Sequence, residues 1–216
     1  MRRERLSVAY EDEEQLEAIR DWWRRNGRAV VAGVVIAVAA VLGWQQWNAY
    51  QERQAAAAAS TYSAIAGAVS EGDLEAAANR LESLRSDYGD SPYAILASFR
   101  LARAQMNAGD AAAAAETLAW AASREAPAGL VEIARLRRAE ALAGADEVAA
   151  ALELLEPLPD GALRARYLEL RGDLLVASGE RDAAIEAYRE AMAEAGSQRR
   201  GLVQVKLTDL GVDPSS

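Results

Sequence analysis

Residues 168–191, LELRGDLLVASGERDAAIEAYREA, decide how the larger part of this chain folds. Two runs at helical spacing flank Gly179-Glu180. Gly172 holds a small position in the first run, and Ala184, Tyr188 and Ala191 set a small–aromatic–small order in the second. Leu168 and Arg171 complete the first run. A tight link between antiparallel helices needs a residue that accepts positive φ where the first helix ends, and glycine does so without a Cβ clash. Small residues let the paired helices approach, and large ones fill the space between neighbouring pairs.

The same punctuation recurs upstream at Gly72-Asp73, Gly109-Asp110 and Gly144-Ala145-Asp146. The last three turn glycines fall 35 residues apart, and the first lies 37 before the second. A period in the middle thirties with a glycine turn between paired helices signals a tetratricopeptide array. The predicted fold is therefore all-α: a solenoid of about four helix pairs closed by a C-terminal capping helix. A simple helical bundle has no reason to keep this period. The Gly109 unit supplies Leu101-Ala102, then Ala114, Leu118 and Ala121, with Pro127 closing it. The Gly144 unit keeps Leu136 but places Arg137 at the small position, and Ala151 and Leu155 continue its core after a turn of about two residues. The Gly72 unit is the weakest, with Ala77 and Leu81. The cap is expected over residues 201–210, with Leu202, Val203, Val205, Leu207 and Leu210 on its apolar side.

Before the array lies Asp21-Trp22-Trp23-Arg24-Arg25-Asn26-Gly27-Arg28, then residues 29–42 without a polar side chain, then Gly43-Trp44-Gln45-Gln46-Trp47. Residues 29–44 span about 24 Å as a helix, and counting to Trp47 brings the length to about 28 Å, against a hydrocarbon core of about 30 Å. A buried soluble helix or a signal-peptide core can be this short. Tryptophans at both ends favour a membrane span, because their amphipathic rings settle at the headgroups. Arg20, Arg24, Arg25 and Arg28 precede the run, and only Arg53 follows closely, so the positive-inside rule keeps the N-terminus in the cytoplasm. The long preceding segment with Glu11-Asp12-Glu13-Glu14 is unlike a short basic leader, which favours an uncleaved anchor. The expected membrane-interface residues are Trp22, Trp23, Arg24, Arg25, Arg28, Trp44 and Trp47.

The expected organisation is a cytoplasmic tail over residues 1–28, a signal-anchor helix over 29–47 and a helical linker over 48–60. The repeat domain follows over 61–211, with a disordered end over 212–216. Residues 1–10 show no pattern and are expected to be disordered. A short helix is expected over 11–25, with a Leu16, Ile19 and Trp23 stripe that rests on the membrane or docks a partner, and Asn26-Gly27 is expected to break the chain before the span.

The 216 residues include neither histidine nor cysteine, which removes the commonest general base and the usual transition-metal ligands. No phosphate-binding glycine loop or nucleophile–base arrangement is present, so neither catalysis, a metal nor a cofactor is expected. Residues 1–28 hold seven arginines and seven acids, leaving 17 basic and 26 acidic side chains beyond them and a net charge of −9 overall. That balance disfavours nucleic acid as a partner. Stacked helix pairs instead line a groove with the outward positions of each first helix, suited to an unfolded, extended or helical peptide. In the expected register Phe99, Arg103 and Met106 face that groove from the second unit, Arg138 from the third, and Glu169 and Asp173 from the fourth.

The acidic tail, the Trp22-Trp23-Arg24-Arg25-Asn26-Gly27-Arg28 junction, the short span ending in Leu42-Gly43-Trp44-Gln45-Gln46-Trp47-Asn48 and the repeats together resemble the YfgM family of ancillary SecYEG translocon subunits. The closing Val203-Gln204-Val205-Lys206-Leu207 also suits that family, whereas the basic start at residues 1–6 and the weak first repeat depart from it. The resemblance implies a single-pass protein of the bacterial inner membrane with a periplasmic repeat domain. It also implies partners in the SecYEG translocon and a PpiD-like periplasmic chaperone. A scaffold for another envelope complex, or a signalling adaptor acting through the N-terminal tail, are the alternatives.

Overall fold

The computed structural model describes residues 2–212, with side chains at residue 17, at 20–127 and at 129–212. Among the described residues there are nine α-helices and no strand: α1 Arg2–Glu71, α2 Leu74–Tyr88, α3 Pro92–Asn107, α4 Ala111–Ala122, α5 Ala128–Gly144, α6 Val148–Leu155, α7 Arg164–Ala177, α8 Arg181–Glu194 and α9 Ser197–Asp209. Two compact units meet in sequence between Gln54 and Ala55. The disordered end expected over 212–216 lies, beyond Val212, outside the described residues.

The first unit is the leading part of α1. The break expected at Asn26-Gly27 is absent, because α1 runs through it. Asn26 Nδ2 donates to the Trp22 carbonyl at 3.1 Å, and the Trp23 ring lies over Gly27, so both residues are absorbed by the preceding turn. A glycine inside a helix costs only about 1 kcal/mol relative to alanine, less than unpaired peptide groups cost next to hydrocarbon. Residues 2–10, expected to be disordered, are helical as well. Extending an existing helix adds one hydrogen bond per residue fixed, without the nucleation cost of a separate one. The side chains of Leu16 and Ile19 lie outside the described residues. Between the tryptophans, Val31, Val34, Val35, Ile36, Val38, Val41 and Leu42 are all exposed. An 18-residue window of α1 reaches a mean hydropathy of 2.0 with 6% of it buried, long and apolar enough to cross a membrane.

The second unit is a tetratricopeptide-like solenoid. The end of α1 pairs with α2, α3 with α4, α5 with α6 and α7 with α8, and α9 caps the stack. Each pair is joined by one repeated turn. Gly72, Gly109 and Gly179 take φ of 80°, 82° and 79°. In each, the next residue's N–H reaches back five residues: Asp73 to Ala68, Asp110 to Gln105 and Glu180 to Leu175, at 2.8–3.0 Å. This satisfies the carbonyls that the helix end would otherwise orphan. Asp73 and Asp110 then cap the following helix, their carboxylates accepting from the N–H of Ala76 and Ala113.

The third turn corrects the expected register. Gly144 is the last helical residue of α5, and Asp146 takes the left-handed position with φ 63° while Glu147 N–H reaches Leu142. Aspartate is among the few non-glycine residues that tolerate this conformation. Gly144 serves close packing instead: a Cβ there would sit 3.2 Å from the Ala111 Cβ and 3.3 Å from Met106 Cε. The shift moves the small position of α5 from Arg137 to Ala139, which is fully buried, and leaves Arg137 exposed. The α6 helix is short because Pro157 and Pro159 follow it, and neither can donate to a helix.

The core runs through the stack in three clusters. The first joins the end of α1 to α2 and α3 through Ile65, Leu81, Leu84 and Leu101. The second spans α3 to α7 around Leu118, Leu155 and Tyr167. The third closes α7, α8 and α9 around Leu168, Tyr188, Val203 and Leu207. In the cap only Val203 and Leu207 of the expected apolar residues are buried; Leu202 and Val205 are 57% and 58% exposed.

Candidate peptide-binding face

On α3, Leu96, Phe99, Arg100, Arg103 and Met106 recur at three- and four-residue spacing and so share one side of the helix. Ile133, Arg137, Glu140 and Gly144 do the same on α5, and Arg166, Glu169 and Asp173 on α7. Cross-helix contacts show that these sides join into one face. The Arg137 guanidinium lies 4.7 Å over the Phe99 ring, Met106 Cε abuts Gly144, and Arg166 Nη2 donates to Glu140 Oε1 at 2.6 Å. At the other end of the stack the rings of Tyr62 and Tyr93 meet at 5.7 Å.

The two halves of this face differ in chemistry. At α7 it is closed by charge. Glu169, 2% exposed, accepts from Arg199 Nη1 at 2.5 Å and from Lys206 Nζ at 2.8 Å, and Arg166 Nη1 lies 3.2 Å away. Lys206 also reaches Asp173 at 2.6 Å, and Asp173 accepts from Tyr188 Oη at 2.7 Å. Burial works to raise the Glu169 pKa, but the hydrogen bonds from Lys206 and Arg199 and the charges of Lys206 and Arg166 outweigh it and hold the carboxyl below its ordinary range. Burial, and then the bond to Asp173, pushes the Tyr188 hydroxyl well up. Glu169 and Asp173, expected to line an open groove, are therefore the anchor of the capping helix.

At α3 and α5 the face is open. Leu96 and Met106 are 40% and 37% exposed, and Arg100, Arg103 and Arg137 are exposed. Of the expected groove residues, Arg103 and Met106 stand free here, while Phe99 is buried beneath Arg137. Arg138 is elsewhere. The two-residue register shift turns it into a cleft of about 600 Å³ between α4, α5 and α6, beside Glu116, Glu147 and Glu153. Its Nε is buried there and meets no hydrogen-bond partner among the described residues.

Sequence reading missed Leu96, Arg100, Arg137 and Glu140 on this face. It also missed Arg85, whose Nη2 donates to the Thr117 carbonyl at 2.7 Å and to Ser98 Oγ at 3.0 Å, tying α2 to α3 and α4. Burial lowers the pKa of that guanidinium. One signal was available: Asp146-Glu147 repeats the turn-and-acid pattern of Gly72-Asp73 and Gly109-Asp110, and placing the turn there restores the register.

A family model described as a tetratricopeptide repeat-like domain matches residues 20–212. The chain belongs to this tetratricopeptide repeat-like family, in its YfgM group. The match includes the apolar run of α1 as well as the solenoid, so the family pairs the two. A Haemophilus influenzae protein named ancillary SecYEG translocon subunit is 24% identical over 95% of this chain and 100% of its own length. An Aggregatibacter actinomycetemcomitans protein of the same name is 26% identical over the same shares, and an Escherichia coli K12 protein of that name is 28% identical over 94% and 98%.

In α1, the expected membrane-interface residues Trp22, Trp23, Trp44 and Trp47 are all more than half exposed. Trp23 and Trp44 lie 21 residues apart, or about 32 Å along the helix, close to the hydrocarbon thickness. Arg24, Arg25 and Arg28 are exposed at the first end, and Arg25 Nε donates to the Asp21 carbonyl at 3.2 Å. Among the described residues no group of three or more carboxylates could hold a metal ion. What this side of the solenoid offers is a shallow face of arginine, leucine, methionine and tyrosine.

Proposed function

We propose that the chain is a non-catalytic, single-pass inner-membrane protein that works beside the SecYEG translocon. In this reading α1 anchors it over residues 29–47, residues 1–28 remain in the cytoplasm, and the repeat domain over 61–211 lies in the periplasm. There it holds segments of newly exported proteins and passes them to a PpiD-like chaperone. The observation that carries the reading is the full-length relationship to proteins named as ancillary SecYEG translocon subunits, which spans anchor and solenoid alike. The exposed apolar run bracketed by tryptophans supports the anchor, and the surplus of arginines before it supports the orientation. The open part of the face at α3 and α5 supports peptide holding.

Photocrosslinkers placed along residues 29–47 in intact membranes test the reading. Capture of SecY-type subunits, lost when the span is exchanged for an unrelated one, is the expected result. Capture of other envelope proteins alone makes the chain a scaffold for another complex. Capture of cytosolic partners alone, abolished by deleting residues 1–25, makes it a signalling adaptor. A reporter fused after Ser216 that is active only in the cytoplasm overturns the orientation.

A further inference from the structure

The basic half of the face has no acid to answer it. Helix α3 carries Arg100 and Arg103 and no carboxylate at all. Arg137 lies across the Phe99 ring from α5. Among the described residues none of these three guanidinium groups pairs with a carboxylate, although the chain carries 33 acids against 24 basic residues. The nearest acid of the face on α5, Glu140, is engaged by Arg166. Several other arginines of the solenoid do find acids, such as Arg124 with Asp90, Arg164 with Glu194, Arg171 with Glu156 and Arg189 with Glu186. Those that do not among the described residues, such as Arg80 on α2 and Arg138 in the cleft between α4, α5 and α6, are not gathered on one face. Three arginines left together around exposed Leu96 and Met106 thus form a local field opposite in sign to the whole domain.

We infer that this face selects, among unfolded exported segments, those in which carboxylates flank large apolar side chains. Arginine forks pair with carboxylates bidentately and remain charged at any physiological pH. Methionine and leucine adapt to varied apolar side chains between them. The surrounding negative domain repels acidic segments everywhere else, so the arginine patch steers them to one place, and basic segments are not retained on it. The inference rests on the peptide-holding reading above and adds the chemistry of what is held.

Full-length protein in detergent is titrated against two unstructured twelve-residue peptides carrying a neutral dye, one of leucine and glutamate, the other of leucine and lysine, with fluorescence anisotropy as readout. The glutamate peptide is expected to bind more tightly by about tenfold or more, the effect of one charge-assisted bond. That preference should collapse as ionic strength rises from about 0.05 M to about 0.5 M. R103E combined with R137E should abolish it, with a somewhat lower thermal midpoint because Arg137 also covers the Phe99 ring. The milder R100Q with R103Q should reduce it at an unchanged midpoint because those two side chains are exposed. Equal or tighter binding of the lysine peptide, or an unaltered preference in both variants, overturns the inference and leaves peptide holding intact. Binding of neither peptide removes the peptide-holding reading together with it.

Discussion

Helices α7 and α8 approach closely at Gly172, against the Tyr188 ring, and replacing the glycine with alanine tests the packing directly. A Cβ at Gly172 would sit 2.5 Å from Tyr188 Cδ1 and 2.9 Å from its Cζ, more than 0.5 Å inside ordinary contact. The ring has nowhere to retreat. It is 3% exposed, its hydroxyl is bound to Asp173, and Lys206 Nζ lies 5.7 Å from its centroid. Overpacking a tight core costs about 1–3 kcal/mol, and moving the ring far enough to lose its bond to a charged acceptor adds about 1.5–3 kcal/mol. Against this, alanine gains about 1 kcal/mol of helix propensity over glycine. The strain wins, so Gly172→Ala should destabilise the domain by about 1.5–5 kcal/mol. At about 2–4 °C per kcal/mol for a chain of this size, the midpoint followed by circular dichroism should fall by about 3–20 °C. Gly201→Ala is the matched comparison. A Cβ there meets nothing within 4 Å, so only propensity acts and the change should stabilise by about 0.5–1 kcal/mol. Combining Gly172→Ala with Tyr188→Leu should recover part of the loss, because the smaller side chain vacates the clash. If Gly172→Ala raises the midpoint as Gly201→Ala does, α7 and α8 are not packed this closely and the pairing is wrong.

Asp146→Gly should stabilise the solenoid by about 0.5–1 kcal/mol by relieving a left-handed aspartate, whereas Gly109→Ala should destabilise by about 1 kcal/mol; urea midpoints of the two separate the outcomes. Because its partners lower the Glu169 pKa when folded, its contribution is full above the unfolded carboxyl value of about 4.3 and fades as pH falls through the folded value. Glu169→Gln should therefore be less stable than the parent by about 2 kcal/mol at pH 7, a gap that closes on acidification; a gap constant from pH 7 to pH 3 refutes the ionic anchor. Lys206→Met should loosen α9 first, seen as faster amide exchange at Val203 and Leu207 with α3 and α4 unchanged.

The fold was legible because its periodic features are local. Glycines 72, 109 and 179 must accept positive φ, and Ala184, Tyr188 and Ala191 repeat the spacing that pairing demands. Misreading began where another residue could do the same work. Asp146 reaches the left-handed region unaided, and the glycine beside it, Gly144, stands two residues before the turn. Every outward position on α5 was displaced with it. The glycine spacing puts Arg138 on the groove and Arg137 at the small position, whereas Arg138 lies in the cleft between α4, α5 and α6 and Arg137 stands on the face. Glu169 and Asp173 failed differently. They share a side of α7 with Arg166, but α9 supplies Arg199 and Lys206 from about 30 residues downstream, a pairing that periodicity within a helix does not encode.

That pairing also explains why the open face ends where it does. A solenoid must cover its last repeat, and an apolar cap alone would bury only Val203 and Leu207. The cap adds charge: Arg199 and Lys206 neutralise the two carboxylates that α7 presents, and Arg166 links that cluster back to Glu140 on α5. Buried charges left unpaired are costly, so Glu169 cannot be given up to a ligand without loosening α9. Arg100, Arg103 and Arg137 carry no such obligation and can exchange water for a partner's carboxylate at little structural cost. The acid anchor at one end and the unanswered arginines at the other therefore divide one helical face into a part that holds the domain together and a part free to hold something else.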